Sequence, residues 1–213
     1  MRLSKGCFIT ALVLFGSAAF AQKWEIGGIA GGGFYQNLTA SSGGGSAVAG
    51  FQNGPVFGGL VGHNMYRYMS GELHYGYSGS SLKVAGNGTE VTFKGMAHAI
   101  HYDYLFHAAP VGARMRPFVA VGGGVKVFRG TGAESAYQPL SQYALLTKTQ
   151  EWKPLISVGG GTKFQIAPRV YLRVEFRDQI TPFPKNVVAP APGAQIKGWL
   201  HDFIPMAGIS FTF

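Results

Sequence analysis

Three side chains in one short stretch could form a hydrolytic triad. Glu72, His74 and Ser78 recur at even spacing in GELHYGYS, and a carboxylate, an imidazole and a hydroxyl are the groups that activate a serine nucleophile. On an extended strand they share a face, but His74 and Ser78 would lie about 13 Å apart at ~3.3 Å per residue. A nucleophile and its base need about 3 Å. The spacing therefore predicts no triad within this strand, and only a partner from another strand could complete one.

Two glycine repeats resemble phosphate-binding loops at first sight. VGGGVK occupies residues 121–126 and VGGGTK residues 158–163. A phosphate loop turns into a helix and follows its lysine with Ser or Thr, whereas Lys126 precedes a valine and Lys163 a phenylalanine. Both repeats lie in alternating apolar segments, where glycine marks close approach by other chains. We therefore expect packing glycines that face the inside of a sheet: Gly122, Gly124, Gly159 and Gly161.

Histidine spacing gives no metal site. His98 and His101 are three residues apart, so on a strand they face opposite sides. His101 and Asp103 share a face but lack a third ligand. We expect buried polar packing here, with no metal and no cofactor.

The first 21 residues are predicted to be a secretory signal peptide. Arg2 and Lys5 precede a short apolar stretch, and Ala19 and Ala21 form an A-x-A cleavage site. The single cysteine, Cys7, leaves with this peptide, so no disulfide is expected. Residues 22–213 are then one exported domain.

Composition narrows what that domain can be. Without Arg2 and Lys5, 16 basic residues stand against 9 acidic ones, a net charge of about +7. The basic residues are scattered, and export argues against a nucleic-acid partner, so anionic lipid is the expected partner. Charged residues make up 13% of the chain, against about 25% in soluble proteins. No run of 18 apolar residues follows the signal peptide, so a closed sheet in an outer membrane is favoured.

Alternating stretches support a closed sheet. In VYLRVEFRD (170–178), Leu172 and Val174 alternate with Arg173 and Glu175, which is typical of a half-buried strand. The face pattern of residues 54–65 is ambiguous. Eight segments have alternating or small-residue character: 23–35, 54–65, 71–80, 89–106, 116–129, 151–166, 170–179 and 202–213.

The connections alternate in length. Long polar or Gly/Pro-rich stretches (36–53, 81–88, 130–150 and 180–201) follow the odd segments, and shorter ones such as 167–169 follow the even segments. Outer-membrane barrels have short periplasmic turns and longer external loops. Asn87-Gly88 predicts a tight turn. The aromatic residues expected at the membrane interfaces are Trp24, Phe34, Tyr75, Tyr77, Tyr102, Tyr104, Phe106, Phe128, Trp152, Phe176 and Phe211.

The faces opposite the apolar ones define a charged interior. Acidic and basic groups in a narrow lumen are expected to form a salt-bridged plug, and a pore stays open as an alternative. Turning the strand at 170–179 around would expose Arg173 to lipid, and Glu175 and Arg177 nearer the interface. An arginine at the lipid midplane costs about 2–4 kcal/mol, so this strand fixes the register. The expected interior residues are Glu25, Glu72, His74, His101, Asp103, Lys126, Lys163, Arg173, Glu175 and Arg177.

The last nine residues, PMAGISFTF, carry the most specific motif. Gly208, Phe211 and the terminal Phe213 follow the order glycine, two residues, aromatic, one residue, aromatic. In this the chain resembles the small outer-membrane β-barrel family of OmpA-like and opacity-protein-like type, although Met206 stands where a polar residue is usual. The resemblance implies an all-β, eight-stranded antiparallel transmembrane up-and-down β-barrel in the bacterial outer membrane. It also implies that the outer-membrane assembly machinery recognises the final strand.

The expected function follows from this resemblance. The resemblance implies a non-enzymatic protein with a structural or surface-interaction role through its long loops, and the surface ligand is not specified. A narrow passive pore and a lipid-modifying enzyme remain alternatives. A soluble carrier would leave Phe213 unexplained.

Overall fold

The computed structural model describes residues 23–134 and 137–213. The predicted signal peptide, with Ala19 and Ala21, lies outside these residues. The described chain contains fifteen strands, numbered here in chain order: β1 (Trp24–Gln36), β2 (Leu38–Ser42), β3 (Gly45–Phe51), β4 (Gly54–Tyr66), β5 (Met69–Ser78), β6 (Leu82–Gly86), β7 (Thr89–Phe93), β8 (Gly95–His107), β9 (Met115–Gly130), β10 (Ala144–Leu146), β11 (Gln150–Ala167), β12 (Val170–Pro182), β13 (Val188–Pro190), β14 (Gln195–Ile196) and β15 (Trp199–Thr212).

Eight of these strands close into an antiparallel barrel. Going around the barrel, each strand pairs with the next barrel strand of the chain, in the order β1, β4, β5, β8, β9, β11, β12 and β15. The seam pairs β1 with β15, and Trp24 and Phe213 exchange backbone hydrogen bonds of 3.1 and 3.0 Å at its end. The predicted eight-stranded up-and-down barrel is confirmed. No helix in the described part of the chain is long and apolar enough to cross a membrane.

Alternation along each strand separates an apolar outer wall from a polar lumen. On β12, Leu172 and Val174 are exposed outside, whereas Arg173 and Arg177 are fully buried inside. This is the register that the sequence predicts. The structure also shows which face of the ambiguous strand β4 is inside. Its even-numbered residues from Val56 to Gly62, among them Leu60, face the lumen, whereas Tyr66, beyond a register shift, is exposed.

The two ends of the barrel differ. At the end that we call the turn end, residues 67–68, 108–114 and 168–169 join the barrel strands. Each of these three connections carries an exposed arginine: Arg67, Arg114 and Arg169. At the other end the connections are long, as predicted.

These long connections contain their own sheets, which the sequence reading missed. A five-stranded sheet has the order β14-β2-β3-β6-β7, and β10 pairs with β13. We call these seven strands the cap, and the barrel end beside them the cap end. The predicted start of the barrel strand at 89–106 was wrong. Its first residues form β7 of the cap, and the barrel strand β8 begins at Gly95. Alternation identifies a strand but not the sheet that it joins.

The predicted turn at Asn87-Gly88 connects β6 to β7. Both residues have positive φ, 49° and 75°, as a two-residue hairpin of type I′ requires. Beside this hairpin, Glu90 accepts hydrogen bonds from Lys83 at 3.1 Å and Gln52 at 2.9 Å. These bonds lower the pKa of the Glu90 carboxyl below its ordinary value.

A hydrophobic core joins the cap to the barrel mouth. The Phe51 ring of β3 lies 5.0 Å from the Phe128 ring of β9 and 5.1 Å from the Tyr35 ring of β1, measured between centroids. The prediction that Phe128 faces the membrane was wrong. Its even position on β9 turns it inward beside Lys126, and it is fully buried. The cap therefore continues the packing of the barrel interior.

Candidate functional site

A cluster of ion pairs fills the turn-end half of the lumen. Arg173 donates to Glu25 at 2.7 Å, to Glu72 at 2.7 Å and to Glu175 at 3.1 Å. Lys163 donates to Glu25 and Glu72, each at 2.6 Å. Four strands, β1, β5, β11 and β12, supply these five side chains, so Glu25 and Glu72 are compensated by basic groups from across the lumen.

A second arginine extends this cluster toward the cap. Arg177 donates to Asp103 and, at 2.9 Å, to Glu175. Asp103 also accepts from Ser157 at 3.3 Å. The Phe118 ring lies 5.9 Å from the guanidinium carbon of Arg177 and the same distance from that of Arg173. The two guanidinium groups thus share Glu175 as an acceptor, and both lie near the Phe118 ring.

A separate ion pair lies nearer the cap. Lys126 donates to Asp202 at 2.6 Å and to Gln179 at 3.0 Å. Its ammonium group lies 5.2 Å from the Tyr35 ring centroid and 5.6 Å from that of Phe128. This pair is therefore sealed on its cap side by aromatic rings.

Substitution of this pair tests how buried charges contribute to stability. We expect Lys126→Met to lower the free energy of unfolding by about 3 kcal/mol, because Asp202 would stay buried without its cation. The double variant Lys126→Met/Asp202→Leu should recover most of that loss, since no unpaired charge remains. Urea unfolding in detergent micelles measures both, and equal losses in the two variants would contradict this explanation.

The lumen charges balance. Within the described residues, five carboxylates and five basic groups lie buried inside the barrel, so their formal charges cancel. All ten residues predicted to face the lumen do so. Arg116 and Asp202 were missed, although their even positions on β9 and β15 could have placed them inside. The five acids are Glu25, Glu72, Asp103, Glu175 and Asp202, and the five basic residues are Arg116, Lys126, Lys163, Arg173 and Arg177.

Two histidines stack between the ion pairs. The imidazole rings of His74 and His101 lie 5.1 Å apart with an interplanar angle of 8°. His74 donates to Glu72 at 3.0 Å, and His101 donates to Asp103 at 3.0 Å. Each ring is thus oriented by the carboxylate two residues away on its own strand. Among the described residues, no group of three or more His, Cys, Asp or Glu side chains could hold a metal ion.

Serine and histidine meet in a place that the sequence did not indicate. Ser78 bonds Ser80 at 2.8 Å and the Tyr35 hydroxyl at 3.4 Å, and the structure assigns it no bond with His74. Instead, Ser70 Oγ lies 2.8 Å from His107 Nε2 across β5 and β8. Both are buried, and within the described chain His107 Nδ1 has no hydrogen-bond partner. No described carboxylate orients this imidazole, so the pair lacks the third group of a triad.

The glycine repeats bring the barrel strands close together. As predicted, Gly122, Gly124, Gly159 and Gly161 face the lumen. A Cβ atom on Gly124 would lie 2.0 Å from the carbonyl oxygen of Ile100, and one on Gly161 would lie 2.4 Å from that of Val174. The bare backbone leaves room for the side chains of the ion-pair cluster.

The C-terminal motif lies in the seam of the barrel. A Cβ atom on Gly208 would lie 2.3 Å from the carbonyl oxygen of Gly28, so glycine permits the approach of β15 to β1. Phe211 and Phe213 are exposed on the outer wall. Recognition of this strand by an assembly machinery stays a prediction.

The cap presents a polar groove on its outer face. Its walls come from β2 and from the segment around β14, and its volume is about 330 Å³. Asn37, Thr39, Ser41, Gln195 and Lys197 line it, so hydroxyl, amide and ammonium groups converge there. A neighbouring basin of about 430 Å³ shares Ser41 and Gln195 with it.

The outer wall of the barrel is apolar around its whole circumference. Exposed aliphatic and aromatic side chains occur on every barrel strand, and they alternate with the buried charges. A closed barrel with an apolar outer band and a polar interior is the arrangement of proteins that cross a lipid bilayer with strands.

Solved structures share this architecture. Neisserial surface protein A aligns with a TM-score of 0.54 and 12% identity, covering 91% of this chain and 98% of the other. A major outer membrane protein from Thermus thermophilus gives 0.54 and 12%, covering 89% and 99%. Outer membrane protein AlkL, solved in lipid bilayers, gives 0.53 and 17%, covering 93% of each chain. The chain has the fold of the small outer-membrane β-barrels.

This fold agrees with the resemblance found in the sequence. The apolar wall and the similar structures both support the predicted outer-membrane location. No protein-family model and no curated protein matches the sequence, so the likeness is one of fold.

Proposed function

We propose that the protein is a non-enzymatic outer-membrane barrel that acts through its cap as a surface-binding module for polar ligands. The turn end then faces the periplasm and the cap faces the outside, in keeping with the loop lengths of such barrels. The observation that carries the proposal is the folded cap, which has its own sheet and a hydrophobic core joined to the barrel mouth.

The filled lumen supports a role for the cap over a role for the interior. The ion pairs at Arg173, Arg177 and Lys126 cross the lumen, and the ring of Phe51 packs on the mouth above them. A passing ion would have to separate buried pairs, which costs several kcal/mol. A closed interior leaves the external surface for function.

The chemistry of the cap groove indicates the class of ligand. Thr39, Ser41 and Gln195 offer both donors and acceptors, and Lys197 adds one positive charge. The Asn37 amide is bonded to the Phe51 backbone at 2.7 and 2.9 Å and forms a fixed part of the wall. Such a lining suits a ligand with several hydroxyl groups, above all a carbohydrate, because each hydroxyl can both donate and accept. The residues that line the groove include no aromatic ring, so binding would depend on hydrogen bonds.

A glycan array tests this proposal. We expect the detergent-purified barrel to bind a subset of immobilised glycans, and Thr39→Ala/Gln195→Ala to weaken that binding about tenfold or more through two lost hydrogen bonds. Thr89→Ala/Thr92→Ala, on the far edge strand of the same sheet, is the matched control and should bind as the wild type does. Equal binding by both variants, or none by the wild type, would contradict the proposed ligand class.

Two further measurements address the alternatives. In planar bilayers the wild type should give no single-channel current, because the lumen is filled. A current altered by Lys126→Ala would instead favour the pore. Expression of the barrel should leave the lipid A mass spectrum unchanged, and a change abolished by His107→Ala would favour a lipid-modifying enzyme.

A further inference from the structure

A groove on the outer wall of the barrel lies apart from the lumen and the cap. It has a volume of about 330 Å³ and opens on the membrane-facing side across β5, β8, β9 and β11. Its floor consists of Ile100, Val125 and Val127, so the groove continues the apolar band of the wall. None of these side chains belongs to the ion-pair cluster.

The strand register orders the groove into levels. Tyr75, Ile100 and Val125 are register partners on three adjacent strands. Two residues nearer the cap end, His98, Val127 and Trp152 form the next level. The first level holds one aromatic ring and the second holds two, so the aromatic share rises toward the cap end.

The last level is polar. Arg129 pairs in register with Gln150 on one side and Met96 on the other. Arg129 and Gln150 are exposed and line the cap end of the groove. The groove thus presents an apolar slot that ends in a guanidinium group and an amide.

Aromatic side chains form the walls. The Tyr75 hydroxyl lies 2.9 Å from His98 Nδ1, and this bond holds one wall in place. Trp152, 62% exposed, forms the opposite wall. Aromatic residues with polar atoms are typical of the level at which the hydrocarbon of a membrane meets the headgroups. Arg129, one level beyond, then lies where lipid phosphates lie.

The one acidic residue of β11 points away from this guanidinium. Glu151 lies on the opposite face of β11 and is paired with Lys153 at 2.6 Å. The eight residues that line the groove include no carboxylate. The charge at the cap end of the groove is therefore positive and suits an anionic headgroup.

We propose that this groove binds a phosphorylated glycolipid of the outer leaflet, with one acyl chain against Val125 and Val127 and a phosphate on Arg129. The commitment to this leaflet follows from the cap-end position of Arg129, and it rests on the proposed orientation with the cap outside. An arginine can bind a phosphate through two parallel N–H donors. The apolar floor contributes by burial of the chain.

Native mass spectrometry of the folded barrel in detergent tests the site, with bis-phosphorylated lipid A as the probe. We expect one lipid to stay bound, Arg129→Gln to weaken binding at least about fivefold, and Val127→Trp, which fills the slot, to abolish it. Arg67→Gln, at an exposed arginine of the turn end, is the control and should leave binding unchanged. Heat-dependent gel mobility verifies that each variant is folded.

The outcomes separate this inference from the proposed function. Phosphatidylglycerol with the same chain length should bind more weakly than lipid A, and equal binding would overturn the assignment to an outer-leaflet glycolipid. Unchanged binding in folded Arg129→Gln and Val127→Trp would overturn the site. Neither result affects the glycan array, which tests the cap alone.

Discussion

Arg173→Met is expected to prevent stable folding of the barrel. This guanidinium donates to Glu25, Glu72 and Glu175, so its loss leaves Lys163 and Arg177 to balance the acids of the cluster. Removing one partner of a buried ion pair costs about 3–5 kcal/mol. Arg173 has three acidic partners, so we expect a loss at the top of that range or beyond, against a typical total of about 5–15 kcal/mol.

Two measurements check the effect of Arg173→Met. Heat-dependent gel mobility of the membrane fraction should show the compact form in the wild type and little or none in the variant. Arg169→Met, at an exposed turn-end arginine, is the matched control and should change stability by no more than about 0.5 kcal/mol. A folded Arg173→Met barrel with a wild-type urea midpoint would refute the view that the cluster stabilises the fold.

Gly124→Ala is also expected to destabilise the barrel strongly. Its Cβ would lie 2.0 Å from the Ile100 carbonyl oxygen and 2.5 Å from the Cα of His101. Both are backbone atoms of the neighbouring strand, so no side chain can rotate away, and β8 and β9 would have to separate. Overpacking typically costs about 1–3 kcal/mol, and we expect the upper end because the backbone itself must move.

Gly76→Ala provides the matched control. Gly76 also lies on a barrel strand and faces the lumen, but a Cβ atom there would meet nothing within 4 Å. We expect a change near zero or a gain of up to about 1 kcal/mol, because alanine restricts the unfolded chain more than glycine does. Urea midpoints of the two variants measure the difference, and similar values for both would contradict the steric explanation.

The sequence was most informative where one face is charged and the other apolar. On β12 the alternation of Arg173 and Glu175 with Leu172 and Val174 determined both the strand and its orientation, and the structure has the same arrangement. The cost of a misplaced arginine in lipid makes such a pattern nearly unambiguous. On β4 small residues occupy both faces, so the pattern could not identify the inner one.

The cap could not be predicted because its strands resemble loops. Residues 36–53 contain three serines and four glycines, a composition typical of connections, yet β2 and β3 form there because the strands beside them supply hydrogen-bond partners. The ion-pair partners within the lumen could not be predicted either. The alternation placed Lys163 inside, but its contacts with Glu25 and Glu72 depend on the register of strands that are distant in sequence.

The large sequence separation between the ion-pair partners affects how the barrel folds. Lys163 and Glu25 are separated by 138 positions, and Arg173 and Glu72 by 101. The hairpin of β11 and β12 neutralises its basic groups only in part, through Glu175, because the other acidic partners come from the first half of the chain. High contact order slows folding, and here the hydrocarbon also opposes half-built sheets whose edges are unpaired. Closure of the circle and neutralisation of the lumen should therefore occur as one late, cooperative event.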